Sequence, residues 1–296
     1  MSAVVLALPE SASLASRLSE LAAVPLGAVE SRQFPDGETY LRIGAECANR
    51  SVVLVCTLDR PNDKFLPLVL LADAARALGA RRVGLVAPYL AYLRQDRQFR
   101  PGEAVTSRTF ARVLSGYADW LVTIDPHLHR YHTLSDIYGV PNRVVHAAPA
   151  LAAWIAAHVD RPVLVGPDAE SAQWVTDVAD RVGAPSVVMR KTRHGDRQVE
   201  VSAPDMTAYR QHTPVVVDDV VSSAHTMIET VKRVVAASLR PPACVAVHAL
   251  FPDTAEQALR DAGAARIATT TTVPHSTNMI DVIPLMIPAV RELAEV

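Results

Sequence analysis

The chain has 296 residues, half of them hydrophobic, and its 29 Lys and Arg nearly balance 31 Asp and Glu. That length predicts two domains able to bury sizeable cores, and the balance excludes a disordered chain, a collagen and a strongly basic nucleic-acid binder. Glycine is scarce, at 12 residues, where ordinary composition gives about 21, so little is available for glycine-rich phosphate loops.

The N-terminus, MSAVVLALPESASLAS, lacks a basic region and has only a short apolar run; it reads as a first strand and not as a signal peptide. Strands are predicted at 3–8, 51–57, 83–88, 119–125, 162–166, 214–218 and 243–250, with helices at 10–22, 64–79, 106–116, 148–158, 169–182, 224–238 and 254–262. Continuous β-branched runs indicate strands covered on both faces, and the β-α-β-α order indicates an α/β protein with mostly parallel, doubly wound sheets. The apolar stretch at 66–78 is interrupted by charge and too short to span a membrane. Cys47, Cys56 and Cys244 form no C-x-x-C pair, which suits small buried side chains in a reducing cytoplasm.

The two halves resemble each other. Residues 4–25 line up with 163–185, setting Pro9 on Pro167 and Pro25 on Pro185, and further along Gly37 falls on Gly195. The segment 51–79 lines up with 214–238, and a third strand in each half ends in Pro-His, at Pro126-His127 and Pro274-His275. An internal duplication follows, with domains at 1–147 and 148–296. The tail 284–296 is short and apolar enough to pack as a helix back on the first domain.

In 214-PVVVDDVVSSAHTMIETV-231 an apolar strand ends in Asp218-Asp219, a hydroxyl-rich loop follows and an amphipathic helix begins. Backbone N–H groups at a helix start, helped by Ser and Thr, make a phosphate seat, while two carboxylates suit sugar hydroxyls or a hydrated Mg²⁺. Taken alone, Ser222, Ser223 and Thr226 also read as helix caps.

This segment resembles the phosphoribosyl-diphosphate loop of type I phosphoribosyltransferases. The rest of the chain resembles the ribose-phosphate diphosphokinase family, through FPDGETYLRI (34–43), PYLAYLRQDR (88–97), DPHLH (125–129), GPDAES (166–171), MRKTR (189–193) and VPHSTNMIDVIPL (273–285). The resemblance implies two phosphoribosyltransferase-like domains, the first for ATP and the second for ribose 5-phosphate, and transfer of the diphosphoryl group of Mg-ATP to the sugar's 1-hydroxyl. It implies ATP contacts from Phe34, Asp36, Glu38, Arg94, Gln95, Asp96 and Arg97. It places ribose 5-phosphate on Asp218, Asp219, Ser222, Ser223, Ala224, His225 and Thr226, a metal site on His127 and Asp168, and catalysis on Lys191 and Arg193. Mg²⁺ as cofactor, a cytoplasmic homo-oligomer, and no membrane or nucleic-acid partner complete the expectation.

Three departures stand out. His225 replaces a family glycine, Glu170-Ser171 replace a glycine pair, and Asp125-Pro126-His127 replaces the usual Asp-Leu-His. The sugar end is therefore where this chain diverges. Competing readings are a silent regulatory homologue, a diphosphokinase for a related sugar phosphate, a metal hydrolase built on His127, His129 and His132, and a plain phosphoribosyltransferase, which would need only one copy of the unit.

Overall fold

The computed structural model describes residues 2–169, 171–194, 198–202, 206–237 and 240–295. The chain divides into two compact units, 1–146 with 283–296, and 147–282.

The first unit begins with β1 (Ala3–Ala7), α1 (Ala12–Ala22), β2 (Val29–Gln33), β3 (Thr39–Ile43), β4 (Ser51–Val55) and α2 (Pro61–Ala77). It continues with β5 (Arg82–Ala87), α3 (Thr106–Ser115), β6 (Trp120–Ile124) and β7 (Asn142–Val145). A parallel sheet takes the order β1-β4-β5-β6-β7, while β2 and β3 form a separate antiparallel hairpin. Every residue of β4 and β6 is buried, as expected for unbroken apolar strands between helical layers. Gly84 is required here. It lies beside Trp120 in the ladder, and a Cβ on it would stand 1.8 Å from the indole.

The second unit repeats the plan. After α4 (Ala148–His158) come β8 (Pro162–Gly166), α5 (Ala172–Val182), β9 (Ser186–Val188), the hairpin β10 (Arg190–His194) and β11 (Gln198–Ser202), and β12 (Thr213–Val221). Then follow α6 (His225–Ala236), β13 (Ala243–Ala249), α7 (Asp253–Asp261), β14 (Arg266–Thr270) and β15 (Asn278–Ile280). Its parallel sheet runs β9-β8-β12-β13-β14-β15. Without β9 this is the order of the first sheet, and the hairpin falls between the same two strands. In the first unit the place of β9 is marked by a parallel bridge from Val5 to Leu26.

One strand is longer than its sequence implied. β12 continues past Asp218 because its ladder with β13 runs on through Val220 opposite His248 and Val221 opposite Ala249. Asp218 and Asp219 therefore sit within the strand, near its carboxyl end. The chain closes with α8 (Ile283–Ala294), which belongs to the first unit. It buries Met286, Ile287, Val290 and Leu293. Glu295 receives Arg81 and Arg82 at 2.7 and 2.6 Å, Arg143 pairs with Glu292, and Arg291 donates to the carbonyls that end α1. Among the described residues no helix is long and apolar enough to cross a membrane.

Candidate active site

In each unit the candidate residues gather in two places: the hairpin, and the loops at the carboxyl ends of the parallel strands, where open α/β sheets bind ligands. In the first unit the β2–β3 hairpin turns tightly. Phe34 N–H donates to the Glu38 carbonyl at 2.8 Å, Gly37 N–H donates to the Phe34 carbonyl at 2.9 Å, and Gly37 takes φ 90°. The Asp36 carboxylate accepts the Glu38 N–H at 3.1 Å, which shapes the tip. The Phe34 ring is 40% exposed, edge-on to Tyr40, with the Arg32 guanidinium 4.9 Å from its centre. An exposed ring with a cation beside it is a stacking platform for a base. Arg32, absent from the sequence expectations, completes it; its spacing two residues before Phe34 on the same strand face was the available signal.

The loop after β5 separates its polar residues sharply. Arg94 and Arg97 are exposed and Gln95 is half-buried, its carbonyl accepting Ser107 N–H at 3.3 Å. Asp96 is placed differently. Its carboxylate is wholly buried and paired with Arg130 at 2.7 Å, so it braces the loop from within, whereas direct contact with ATP was expected. The loop after β6 begins at Asp125, whose φ of 34° is a strained value for a residue preceding proline. Its carboxylate meets His146 Nδ1 at 2.8 Å. Two residues on, His127 Nε2 lies 2.8 Å from His129 Nε2. Among the described residues no group of three or more His, Cys, Asp or Glu is arranged to hold a metal. His127, His129 and His132 therefore do not assemble the hydrolase triad.

In the second unit Asp218 and Asp219 share the end of β12 with Asp168 from the loop after β8. Burial, then the charges of Asp219 and Asp168, push the Asp218 carboxyl up to about 8. The cluster carries more negative charge than it can hold ionised, so Asp218 keeps its proton. Asp168 also receives Ser171 N–H at 3.3 Å, and Ser171 Oγ donates to its carbonyl at 2.7 Å. Asp168 thus doubles as a brace for the start of α5. Glu170 lies outside the described residues.

Beyond β12, Ser222 and Ser223 are exposed and Ala224 turns the chain at φ 58° as the N-cap of α6. His225 and Thr226 open the helix, with no acidic residue in its first turn. His225 N–H reaches Ser223 Oγ at 3.5 Å. Lys191 and Arg193 are on β10, opposite Val201 and Val199; their side chains and Gly195 lie outside the described residues.

The comparisons with known proteins follow the same division. Residues 3–117 match the family model described as the N-terminal domain of ribose phosphate pyrophosphokinase, and residues 138–282 match the phosphoribosyl transferase domain. The crystal structure of phosphoribosylpyrophosphate synthetase from Mycobacterium smegmatis superposes with a TM-score of 0.85 at 22% identity, covering 100% of this chain and 99% of that one. The fold is thus that of a two-unit phosphoribosyltransferase-type protein. The ribose-phosphate pyrophosphokinase of Methanopyrus kandleri is 35% identical, covering 98% of this chain and 99% of its own length. That of Sulfurisphaera tokodaii is 31% identical, covering 90% and 91%. The chain belongs to the ribose-phosphate pyrophosphokinase family.

Proposed function

We infer that the chain transfers the β,γ-diphosphoryl group of ATP to the 1-hydroxyl of ribose 5-phosphate, giving 5-phosphoribosyl 1-diphosphate and AMP. The observation that carries this is the β12–α6 turn in a member of this family. Exposed Ser222 and Ser223, the left-handed Ala224 and the start of α6, whose N-cap residue offers no capping side chain, suit an anion seat directly beyond a carboxylate pair. The seat suits the 5-phosphate, and Asp218 and Asp219 suit the ribose hydroxyls. His225 and Thr226 bound the seat at the start of α6.

Phe34 stacks on adenine, with Asp36 and Glu38 at the hairpin tip to accept its amine. Arg94, Gln95 and Arg97 receive the phosphates, and guanidinium forks match their oxygens. Lys191 and Arg193 neutralise the charge that develops on the migrating diphosphoryl group, a form of positioning and electrostatic catalysis that needs no covalent intermediate. Mg²⁺ would supply charge neutralisation when bound; the family resemblance assigns it His127 in the first unit and Asp168 in the second. The protein acts as a cytoplasmic homo-oligomer.

The test is incubation with Mg²⁺-ATP and a panel of sugar phosphates, scoring AMP release. AMP formed with ribose 5-phosphate and not with hexose phosphates is the expected result. No AMP with any pentose phosphate would replace this reading with the silent regulatory one.

A further inference from the structure

One ion pair ties the loops after β5 and β6 together, and the roles assigned above leave its cation unused. Arg130 Nη1 donates to both oxygens of Asp96, at 2.7 and 3.0 Å, while the Asp96 side chain is 0% exposed. A carboxylate so buried is tolerated only when paired, so Arg130 is held by charge as well as by geometry. The neighbouring chain adds support. Tyr131 Oη donates to the Asp96 carbonyl at 3.1 Å and shares a 3.0 Å hydrogen bond with Ser107 Oγ.

Although anchored at one end, the Arg130 side chain is 46% exposed. Among the described residues its Nε and Nη2 donate to nothing. Its Cζ stands 5.6 Å from the centre of the Phe99 ring, and that of Arg97 stands 5.1 Å from the same ring. Elsewhere in this unit Arg42, Arg50, Arg76, Arg81, Arg82 and Arg143 each close on a carboxylate. Two guanidinium groups thus flank Phe99, whose N–H, with that of Arg100, donates to the Glu103 carboxylate at 2.8 and 2.9 Å, on the same loops as Arg94 and His127.

We infer that Arg130 is a further nucleotide-binding residue, which Asp96 aligns so that its remaining N–H groups grip the terminal phosphates of ATP. This rests on the reading that these loops hold ATP. A fork fixed at one nitrogen loses less freedom on binding an anion than a free side chain does. It also gives Asp96 a role that its burial permits.

The experiment measures equilibrium binding of ATP and of AMP to the full chain, and the KM for each substrate. Arg130→Gln alone strands a buried carboxylate and threatens the fold, so the variants are Arg130→Lys and the double replacement Asp96→Asn with Arg130→Gln. The first keeps the charge but gives up the fork; the second removes both charges together. Both are expected to weaken ATP about 10-fold, with AMP changed less than about twofold and the KM for ribose 5-phosphate unmoved. ATP binding by both variants within about twofold of wild type would overturn the assignment, because a gripping fork is worth more than that. Equal losses for ATP and AMP would also overturn it, showing a brace without a phosphate contact. If the unmodified chain binds ATP yet releases no AMP with any pentose phosphate, the functional reading fails while the binding comparison still decides Arg130. If it binds no ATP, both fall.

Discussion

Before α2 the chain turns through Arg60 at φ 56°, and before α6 through Ala224 at φ 58°, each the left-handed N-cap of its helix. From there the two joints differ in what fills them. In the first, Pro61 removes an N–H from the helix start and Asp63 puts negative charge in the first turn. Lys64 folds back, donating to the Thr57 carbonyl at 3.1 Å and pairing with Asp59. In the second, Ser222, Ser223, His225 and Thr226 are all exposed, and no carboxylate enters the first turn. One backbone device thus stands beside a filled joint in one unit and beside exposed hydroxyls in the other. The turn alone does not distinguish the two; the side chains around it do.

The hairpins divide in the same way, and there the largest effect is expected. β2–β3 presents an aromatic ring and carboxylates, whereas β10–β11 carries Lys191 and Arg193. Lys191→Ala should leave the fold intact, by circular dichroism, and lower kcat by ~10² or more, since a removed cation no longer meets charge developing in the transition state. Near-wild-type turnover in single-turnover AMP release would remove Lys191 from the mechanism and erase the contrast between the hairpins.

The closed joint is tested through Lys64. Its side chain is 10% exposed and that of Asp59 20%. Lys64→Ala should therefore cost about 1.5–3 kcal/mol in urea unfolding, the range for hydrogen bonds made by a charged group. The KM for ribose 5-phosphate should not move, because this joint is filled by its own side chains. A wild-type unfolding midpoint would mean that the joint is not held by its ion pair.

The open seat has an electrostatic signature. Below 3.8, the ordinary value, folded and unfolded chains both carry the Asp218 proton and the group leaves stability unchanged. Above it the unfolded chain releases the proton, while the fold retains it up to about 8. The native state binds more protons across that window, so this group's contribution to stability falls as pH rises from about 4 to 8 and is flat beyond. Asp218→Asn should flatten that part of the profile of the unliganded chain. An unaltered slope would show that burial and the neighbouring carboxylates do not hold the Asp218 proton.

Much of this organisation was readable in the residues. The seven apolar strand runs, the seven helices and the paired Pro9 and Pro167 follow from hydrophobic period and punctuation. The hairpins did not show that way. VESRQ and RKTRH carry no run of apolar residues and no alternation of apolar and polar ones, so only motif resemblance marked them. Arg130 was missed for another reason. Its partner Asp96 is 34 residues away, and no local pattern announces a long-range ion pair. The burial of Asp96 was illegible for the same reason, since burial is set by the fold and not by its neighbours in RQDR. Among the described residues, Arg60, Asp125 and Ala224 are three of eight non-glycine residues at positive φ. All three stand at carboxyl ends of strands, where the glycine shortage pointed to a cost without giving its location.

The smallest effect sharpens the likeness of the units themselves. α1 ends at Ala23 with φ 56°, and α5 ends at Gly183 with φ 71°. The bonds that close them match. Ala23 N–H donates to Glu20 O and Val24 N–H to Ser19 O; Gly183 N–H donates to Asp180 O and Ala184 N–H to Ala179 O. These are the same left-handed helix stop, built once with a β-carbon and once without. A left-handed alanine costs roughly 1–2 kcal/mol, offset by the ~0.5–1 kcal/mol that glycine loses in unfolded-chain entropy. Ala23→Gly should therefore raise stability by up to ~1 kcal/mol. Gly183→Ala should lower it by a similar amount, since a Cβ there would meet nothing within 4 Å and the cost is the backbone's alone. Urea unfolding of both variants decides the matter. Shifts of the same sign would mean that the two helix stops, alike in φ and in hydrogen bonding, are not energetically equivalent. The duplication would then hold for topology but not for the turns that terminate its helices.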